Sequence, residues 1–439
     1  MSSSNKVTTV PSLLRNTVKN IHSPETTFLI HKKTTEWENI SYQTTLNHAD
    51  AIAAFFLDQS IFKGDRLGLM IENGPDYIFY DQGIQQIGAI NVSIYPTLSE
   101  YEVEYIINDS GMKAILVGNP FLYKKILKIA ANCRNLLYII PAFEEHQKIA
   151  VPANLATQVI SFEELLTRGK ALTAQFQAQI TQIRESISPS DTSSLVYTSG
   201  TTGTPKGVML SHNNFVENVR VSLSQMPSVE KHDRFLSFLP LSHVFERTAT
   251  YHVCCMAGCT MAFAQSLELL AKNMMEVSPT IMNCVPRLLE RIHDKAIKSG
   301  TADGGLKSKI FLWSMETGKN YREKLEAGKT PGLLLSAEKM IAEKLVFSKI
   351  KEKTGGKLKF LISGGAALPK NVGEFFGNLG IKVCEGFGLT ETSPVMTFSE
   401  ANRQVYGTVG RVIPGIEVAI QNIETKEIIN IQTHDSFSE

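Results

Sequence analysis

Two apolar runs, Leu195-Val196-Tyr197 and Val208-Met209-Leu210, enclose a segment in which glycine, threonine and serine displace almost everything else: Thr198-Ser199-Gly200-Thr201-Thr202-Gly203-Thr204-Pro205-Lys206-Gly207. This segment constrains the fold more than any other. The runs are apolar and strand-like, and the glycines between them suit a sharp connection. Gly200, Gly203 and Gly207 leave backbone N–H groups open to an anion, five hydroxyls can donate to the same oxygens, and Lys206 adds a positive charge. A phosphate-binding loop follows from that chemistry. It is not the loop of P-loop NTPases, because Pro205 intervenes and Lys206 onward reads as a strand, where that pattern needs adjacent Gly and Lys opening a helix. A flexible Gly/Ser/Thr linker is the plainer reading, but the flanking strand-like runs argue against it.

The segment TSGTTGTPKG resembles the signature loop of the adenylate-forming superfamily, which contains acyl-CoA synthetases, peptide-synthetase adenylation domains and firefly-type luciferases. The resemblance implies that Thr198, Ser199, Gly200, Thr201, Thr202, Gly203, Thr204 and Lys206 bind ATP phosphates, with Lys206 also catalytic. Further segments follow in the order the resemblance requires. Glu385-Gly386-Phe387-Gly388-Leu389-Thr390-Glu391-Thr392 is similar to the second nucleotide motif. By that resemblance Phe387 stacks on adenine, Thr390 touches phosphate, Glu391 holds Mg²⁺, and Glu385, Gly386 and Gly388 complete the nucleotide contact. The residue types suit these roles, since an aromatic face fits a purine and a hard carboxylate fits Mg²⁺. Without its context the same stretch reads as a glycine-containing turn ending in a helix cap.

Phe360 to Pro369 reads as a buried strand and a small-residue turn, and the resemblance lays Gly364, Gly365 and Ala366 against the base. Leu239 to Arg247 resembles the LPLxHxxE segment of fatty acyl synthetases, which makes His243 a catalytic and acyl-binding candidate. On residue type alone, a histidine beside apolar neighbours is more often a core residue. Val285-Pro286-Arg287-Leu288 resembles the segment bordering the acyl tunnel in long-chain members and puts Arg287 forward as substrate-binding; the plainer alternative is a proline-started helix with an exposed arginine. Gly407 to Gly415 fits the stretch before a small β-barrel, and its role reads as structural.

Alternating helical and strand patterns, such as 51–59, 66–70 and 89–93, argue for α/β layers with largely parallel sheets, and no repeat of about 20–50 residues interrupts them. The expected architecture is the large N-terminal domain of the adenylate-forming fold: two α/β sheets layered with helices, then the start of a distorted β-barrel. The expected boundaries are 1–190 for a first α/β subdomain, 191–400 for a second with the nucleotide motifs, and 401–439 for the barrel. The charged, helical stretch 298–359 resembles long-chain fatty acyl members and is the reason to expect a fatty acyl substrate.

A net charge of +1 supplies no global field for nucleic acid, and none is expected as a partner. The polar start carries no signal or anchor pattern, and the apolar stretch near 253–264 is too short to span a bilayer, so a cytoplasmic protein is expected. Peripheral contact with a membrane carrying the substrate stays open, as does the oligomeric state. Six cysteines lie mostly inside apolar runs, as reduced core thiols do, and their spacing makes no zinc site.

The expected activity is ATP-dependent conversion of a long-chain fatty acid to acyl-AMP and then acyl-CoA, with ATP, Mg²⁺ and coenzyme A taking part. Adenylation of another carboxylate, loading of a carrier protein, a luciferase-type reaction and a truncated non-catalytic acyl-adenylate-binding module are the alternatives. The ribose-binding aspartate, the hinge and the C-terminal catalytic lysine of the superfamily would fall beyond residue 439, so the sequence is expected to be roughly the first three quarters of a member.

Overall fold

The computed structural model describes residues 7–153, 155–199, 204–400 and 404–433. Contacts divide the chain into two compact units that interleave: 1–219 with 240–263, and 220–239 with 264–439.

The first unit is built on a seven-stranded sheet. Its order is Gln158–Val159, Tyr138–Pro141, Ala114–Val117, Arg66–Met70, Ile90–Ser93, Thr192–Ser199 and Pro205–Ser211. All neighbours run parallel except the last pair. Parallel strands need both faces covered, and the central ones are accordingly apolar throughout: Ala114–Val117 is buried at every position. Local chemistry delimits the helices between them. Glu100–Ser110 begins in a capping box between Ser99 and Glu102 and ends at Gly111, whose φ is 61°. The subdomain boundary expected at residue 190 falls in the passage from the helix Phe162–Ser186 to the strand Thr192–Ser199. That strand pairs with Ile90–Ser93, so it belongs to the first unit's sheet. In the same unit Thr27–His31 pairs antiparallel with Glu38–Ser41 and parallel with Thr260–Phe263.

In the second unit the strands Arg234–Ser237, Ile281–Cys284, Phe360–Ser363 and Lys382–Gly388 run parallel, and Val395–Phe398 and Arg411–Val412 continue antiparallel. Where a barrel start was expected, the strands Glu417–Gln421 and Ile428–Thr433 form a two-stranded hairpin, and the described residues contain no closed barrel. The six cysteines are buried and none is in a disulfide. Among the described residues no helix is long and apolar enough to cross a membrane.

Burial also makes the first unit sensitive to acid. His212 is 1% exposed and accepts a hydrogen bond from the Val10 N–H at Nδ1, 3.3 Å away. Desolvation pushes its pKa down from 6.5 to about 4. His252, also buried, is held well below the ordinary histidine value, mainly by desolvation and then by the nearby Arg247 charge. An unfolded chain therefore takes up protons between pH 6.5 and 4 that the folded chain refuses. Stability is complete above pH 6.5 and falls with pH at about 1.4 kcal/mol per unit per histidine. Urea unfolding at pH 7 and pH 5 should show a clear drop in midpoint at the lower pH. His212→Asn, which keeps an acceptor for Val10, should reduce that drop, and an undiminished drop would assign it to other groups.

Candidate active site

Thr192–Ser199 and Pro205–Ser211 form an antiparallel hairpin in which Thr198 faces Lys206 and Ser199 faces Pro205. Thr198 and Lys206 thus stand at the C-terminal end of a strand that pairs in parallel within the sheet, where open α/β sheets gather ligands. Thr198 is half-buried, while Thr204 and Lys206 are exposed. Gly200, Thr201, Thr202 and Gly203 lie outside the described residues, and of Ser199 only the backbone is described.

In the same unit, His243 caps the short turn Val244–Glu246, its Nδ1 accepting the Phe245 N–H at 3.0 Å. That bond leaves the proton on Nε2, so the ring presents a donor outward. The ring is open to solvent on one side. Desolvation by the protein on the other side lowers its pKa, which keeps it neutral at pH 7. Two bonds pin the preceding segment: the Leu241 N–H donates to Asn73 Oδ1 at 2.9 Å, and the Tyr77 hydroxyl donates to the Leu241 carbonyl at 3.0 Å.

Behind His243 lies a buried polar cluster that sequence reasoning missed. A π-helical turn, Arg247–His252, carries Arg247 inward, where its side chain is 1% exposed. The guanidinium donates to Asp81 Oδ1 at 2.8 Å, to Asn91 Oδ1 at 2.9 Å and to Ser194 Oγ at 2.8 Å, and lies over the Phe215 ring. Tyr251 donates to the other Asp81 oxygen at 2.9 Å. Burial is the largest influence and opposes the charge on Arg247, but Asp81 together with Tyr77 and Tyr251 outweighs it and the guanidinium pKa rises. Ser194 stands on the strand that ends in the phosphate loop, so Arg247 ties the His243 segment to the root of that loop. Only the helix Pro75–Gln86 hinted at this in the sequence, through Asp81, Gln82, Gln85 and Gln86 among apolar neighbours.

The second unit carries the other motifs. After the buried strand Phe360–Ser363 the chain turns at Gly364, Gly365 and Ala366. Gly365 has φ +81° and open space where a Cβ would stand, so the turn needs glycine and leaves backbone exposed to a flat ligand. Glu385 is 5% exposed and accepts the Leu368 N–H at 3.2 Å, binding this turn to the next strand; desolvation raises its pKa. Gly386 and Gly388 flank Phe387, whose ring is 45% exposed. A Cβ on Gly388 would lie 1.7 Å from the Pro394 carbonyl oxygen, so the strand Lys382–Gly388 can lie this close to Pro394 only with glycine there. Thr390 and Glu391 open a short 3₁₀ turn, with Glu391 exposed. A bare aromatic face and a free carboxylate four residues apart are the parts of a purine and Mg²⁺–phosphate site. Among the described residues no group of three or more His, Cys, Asp or Glu could hold a metal. A single exposed carboxylate fits Mg²⁺ that is bound largely through nucleotide phosphates.

Arg287 is the second residue of the helix Pro286–Thr301; its side chain is 77% exposed and pairs with Glu290 at 3.6 Å. No described contact assigns it to an acyl chain.

These two sets of features belong to one class of protein: residues 19–433 match the family model described as AMP-binding enzyme, and the chain belongs to that family. Among its relatives, a long-chain-fatty-acid–CoA ligase of Mycobacterium bovis is 29% identical over 389 residues, covering 88% of this chain and 61% of the ligase. The peroxisomal long chain acyl-CoA synthetase 7 of Arabidopsis thaliana is 30% identical over 398 residues, covering 88% of this chain and 53% of its own length. The chain thus spans about three fifths or less of the curated relatives it matches. A long-chain-fatty-acid–[acyl-carrier-protein] ligase of the same plant is 28% identical, covering 83% of this chain and 53% of the relative. In fold, the chain is similar to the anthranilate CoA ligase AuaEII in complex with anthranoyl-AMP, with TM-score 0.70, 17% identity and coverage of 98% and 69%. It is also similar to the inhibitor-bound N-terminal domain of FACL13 from Mycobacterium tuberculosis, with TM-score 0.67, 21% identity and coverage of 96% and 86%. The fold is that of the N-terminal domain of adenylate-forming enzymes.

Proposed function

We propose that this chain supplies the nucleotide- and acyl-binding part of an enzyme that activates a long-chain fatty acid with ATP. A carboxylate oxygen attacks the α-phosphorus, the bond to the β-phosphate bridge breaks, and acyl-AMP and pyrophosphate result. The thiol of coenzyme A then displaces AMP to form the thioester. No protein nucleophile is required, so the protein's contribution is positioning and charge neutralisation. In this reading Thr198 to Lys206 hold the departing pyrophosphate, Phe387 stacks on adenine with Gly364, Gly365 and Ala366 beside it, and Thr390 contacts phosphate. Mg²⁺ held by Glu391 would neutralise phosphate charge when bound. His243, with its outward Nε2–H, would hydrogen-bond the acyl carboxylate. The observation that carries the reading is the exposed Phe387–Glu391 turn in a chain of the AMP-binding family.

The fatty acyl part rests on the relatives' names and on the helical stretch 298–359, present here as the helices Leu306–Glu326, Leu333–Ala342 and Ser348–Glu352. A carrier-protein acceptor is a second reading, favoured by the relative that acts on acyl-carrier protein.

Calorimetry with non-hydrolysable acyl-AMP analogues carrying acetyl, benzoyl, octanoyl and hexadecanoyl groups tests the proposal. The hexadecanoyl analogue should bind tightest, by more than about tenfold over octanoyl, because each buried methylene adds to affinity. Preference for benzoyl would end the fatty acyl reading and keep adenylation. No binding by any analogue would end both.

A further inference from the structure

Away from the nucleotide motifs, the helical stretch of the second unit, beginning with Leu288 of the Val285–Leu288 segment, surrounds a cavity of about 560 Å³. This is within the range of sites that hold small organic ligands. Its wall follows from helix periodicity. On Pro286–Thr301 the residues Leu288, Ile292, Ala296 and Gly300 recur every fourth position along one face, and Arg291 and Lys295 border the same face. Opposite, Val346 and Ile350 line the cavity while Lys349 and Lys353 stand one turn apart beside them. Leu270, Met274 and Phe311 close the floor.

The interior is apolar and the rim is cationic. Arg291, Lys295, Lys307, Lys349 and Lys353 contribute to the lining against a single carboxylate, Glu268. All five cations are exposed. Lys307 reaches Asp303 only at 3.9 Å in open solvent, and the other four form no ion pair among the described residues. Two facing pairs of like charges at i, i+4 repel along their own helices, and an anion between them would remove that repulsion. Alkyl stems of lysine and arginine extend the apolar wall to the mouth.

We infer that this cavity is an accessory site for a single-chain amphiphile, with its alkyl chain among Leu270, Met274, Ile292 and Phe311 and its anionic head at the Arg291, Lys295, Lys349 and Lys353 rim. The inference stands on the cavity and its charges, independently of the acyl-activation proposal. None of the phosphate, adenine or Mg²⁺ candidates lines the cavity.

The test is calorimetry on this chain with hexadecyl phosphate as probe, below its micellar concentration. It is run with and without a saturating amount of the non-hydrolysable hexadecanoyl-AMP analogue. The expected result is one equivalent of hexadecyl phosphate bound in both conditions. Lys295→Glu combined with Lys349→Glu should weaken it at least about tenfold through charge reversal, and Ala296→Trp should abolish it by filling the cavity. Neither variant should alter binding of the analogue. Complete competition by the analogue would make the cavity part of the activation site and overturn the inference. So would hexadecanol binding as well as the phosphate, indifference to both variants, or adsorption to anionic vesicles without binding of the monomeric probe. If the analogue itself does not bind, the acyl-activation proposal fails while the two variants still decide this one. Hexadecanoate, a lysophospholipid and hexadecanoyl-CoA, compared in the same assay, then identify whether substrate, membrane lipid or product is the natural source, tight binding of any one supporting the site.

Discussion

Replacing Arg247 by methionine is expected to destabilise the first unit by about 3–5 kcal/mol, the cost of leaving a buried charge without its partner. The methionine occupies a similar volume, so the loss is electrostatic. Asp81 Oδ1 loses the guanidinium at 2.8 Å, and the Asn91 and Ser194 oxygens lose theirs at 2.9 and 2.8 Å. Asp81 keeps the Asn91 amide at 2.7 Å, the Tyr251 hydroxyl at 2.9 Å and a long bond from the Gln85 amide at 3.4 Å, all neutral donors that do not balance a carboxylate charge held away from water. The double variant Arg247→Met, Asp81→Asn removes both charges and leaves an amide that can still accept from Asn91 and donate to Tyr251. It should recover much of the loss, giving a strongly non-additive cycle in urea unfolding. Additive losses would mean that the two residues stabilise the unit separately. Because Ser194 and His243 lie on segments that Arg247 joins, ATP affinity should fall with Arg247→Met and return with the double variant.

Glu391→Ala in the full-length enzyme carrying this segment is expected to lower acyl-dependent ATP–pyrophosphate exchange by about 10²–10³-fold, the usual cost of one preorganised electrostatic contact to a transferring phosphoryl group. Its exposed position on the 3₁₀ turn makes a folding explanation weak, and the melting temperature should not move. In this chain the same substitution should abolish the Mg²⁺ dependence of ATP binding while sparing AMP binding, which the proposed function assigns to Phe387. Unchanged exchange would remove Glu391 from the reaction.

The local parts of the site were legible before any coordinates. The strands on either side of the Thr198 to Gly207 segment follow from apolar runs too short for helices. The strand read at 66–70 is Arg66–Met70 and the buried strand read from Phe360 is Phe360–Ser363, whereas Lys382–Gly388 is a strand where the sequence read only a glycine-containing turn from Glu385. In each case residue type and spacing act over a few positions, within the reach of backbone sterics and side-chain periodicity. Phe387 and Glu391 were singled out by chemistry that the structure leaves exposed.

Long-range choices were not legible in this way. The sequence read 190 as the close of a first subdomain because composition changes there. Pairing of Thr192–Ser199 with Ile90–Ser93 instead carries the first unit's sheet across that point, and strand pairing depends on partners about a hundred residues apart. Arg247 was visible beside His243 but read as nothing in particular, because a buried arginine is tolerable only where a carboxylate meets it, and Asp81 is 166 positions away. The cavity under Arg291 and Lys295 likewise needs four helical segments to meet. The sequence by itself determined many of the local turns and strands and marked the residues proposed to bind phosphate and purine, since these depend on neighbours along the chain. Only the tertiary structure decided which charge is buried against which and where an apolar face is left uncovered, because burial and pairing depend on segments that only folding brings together.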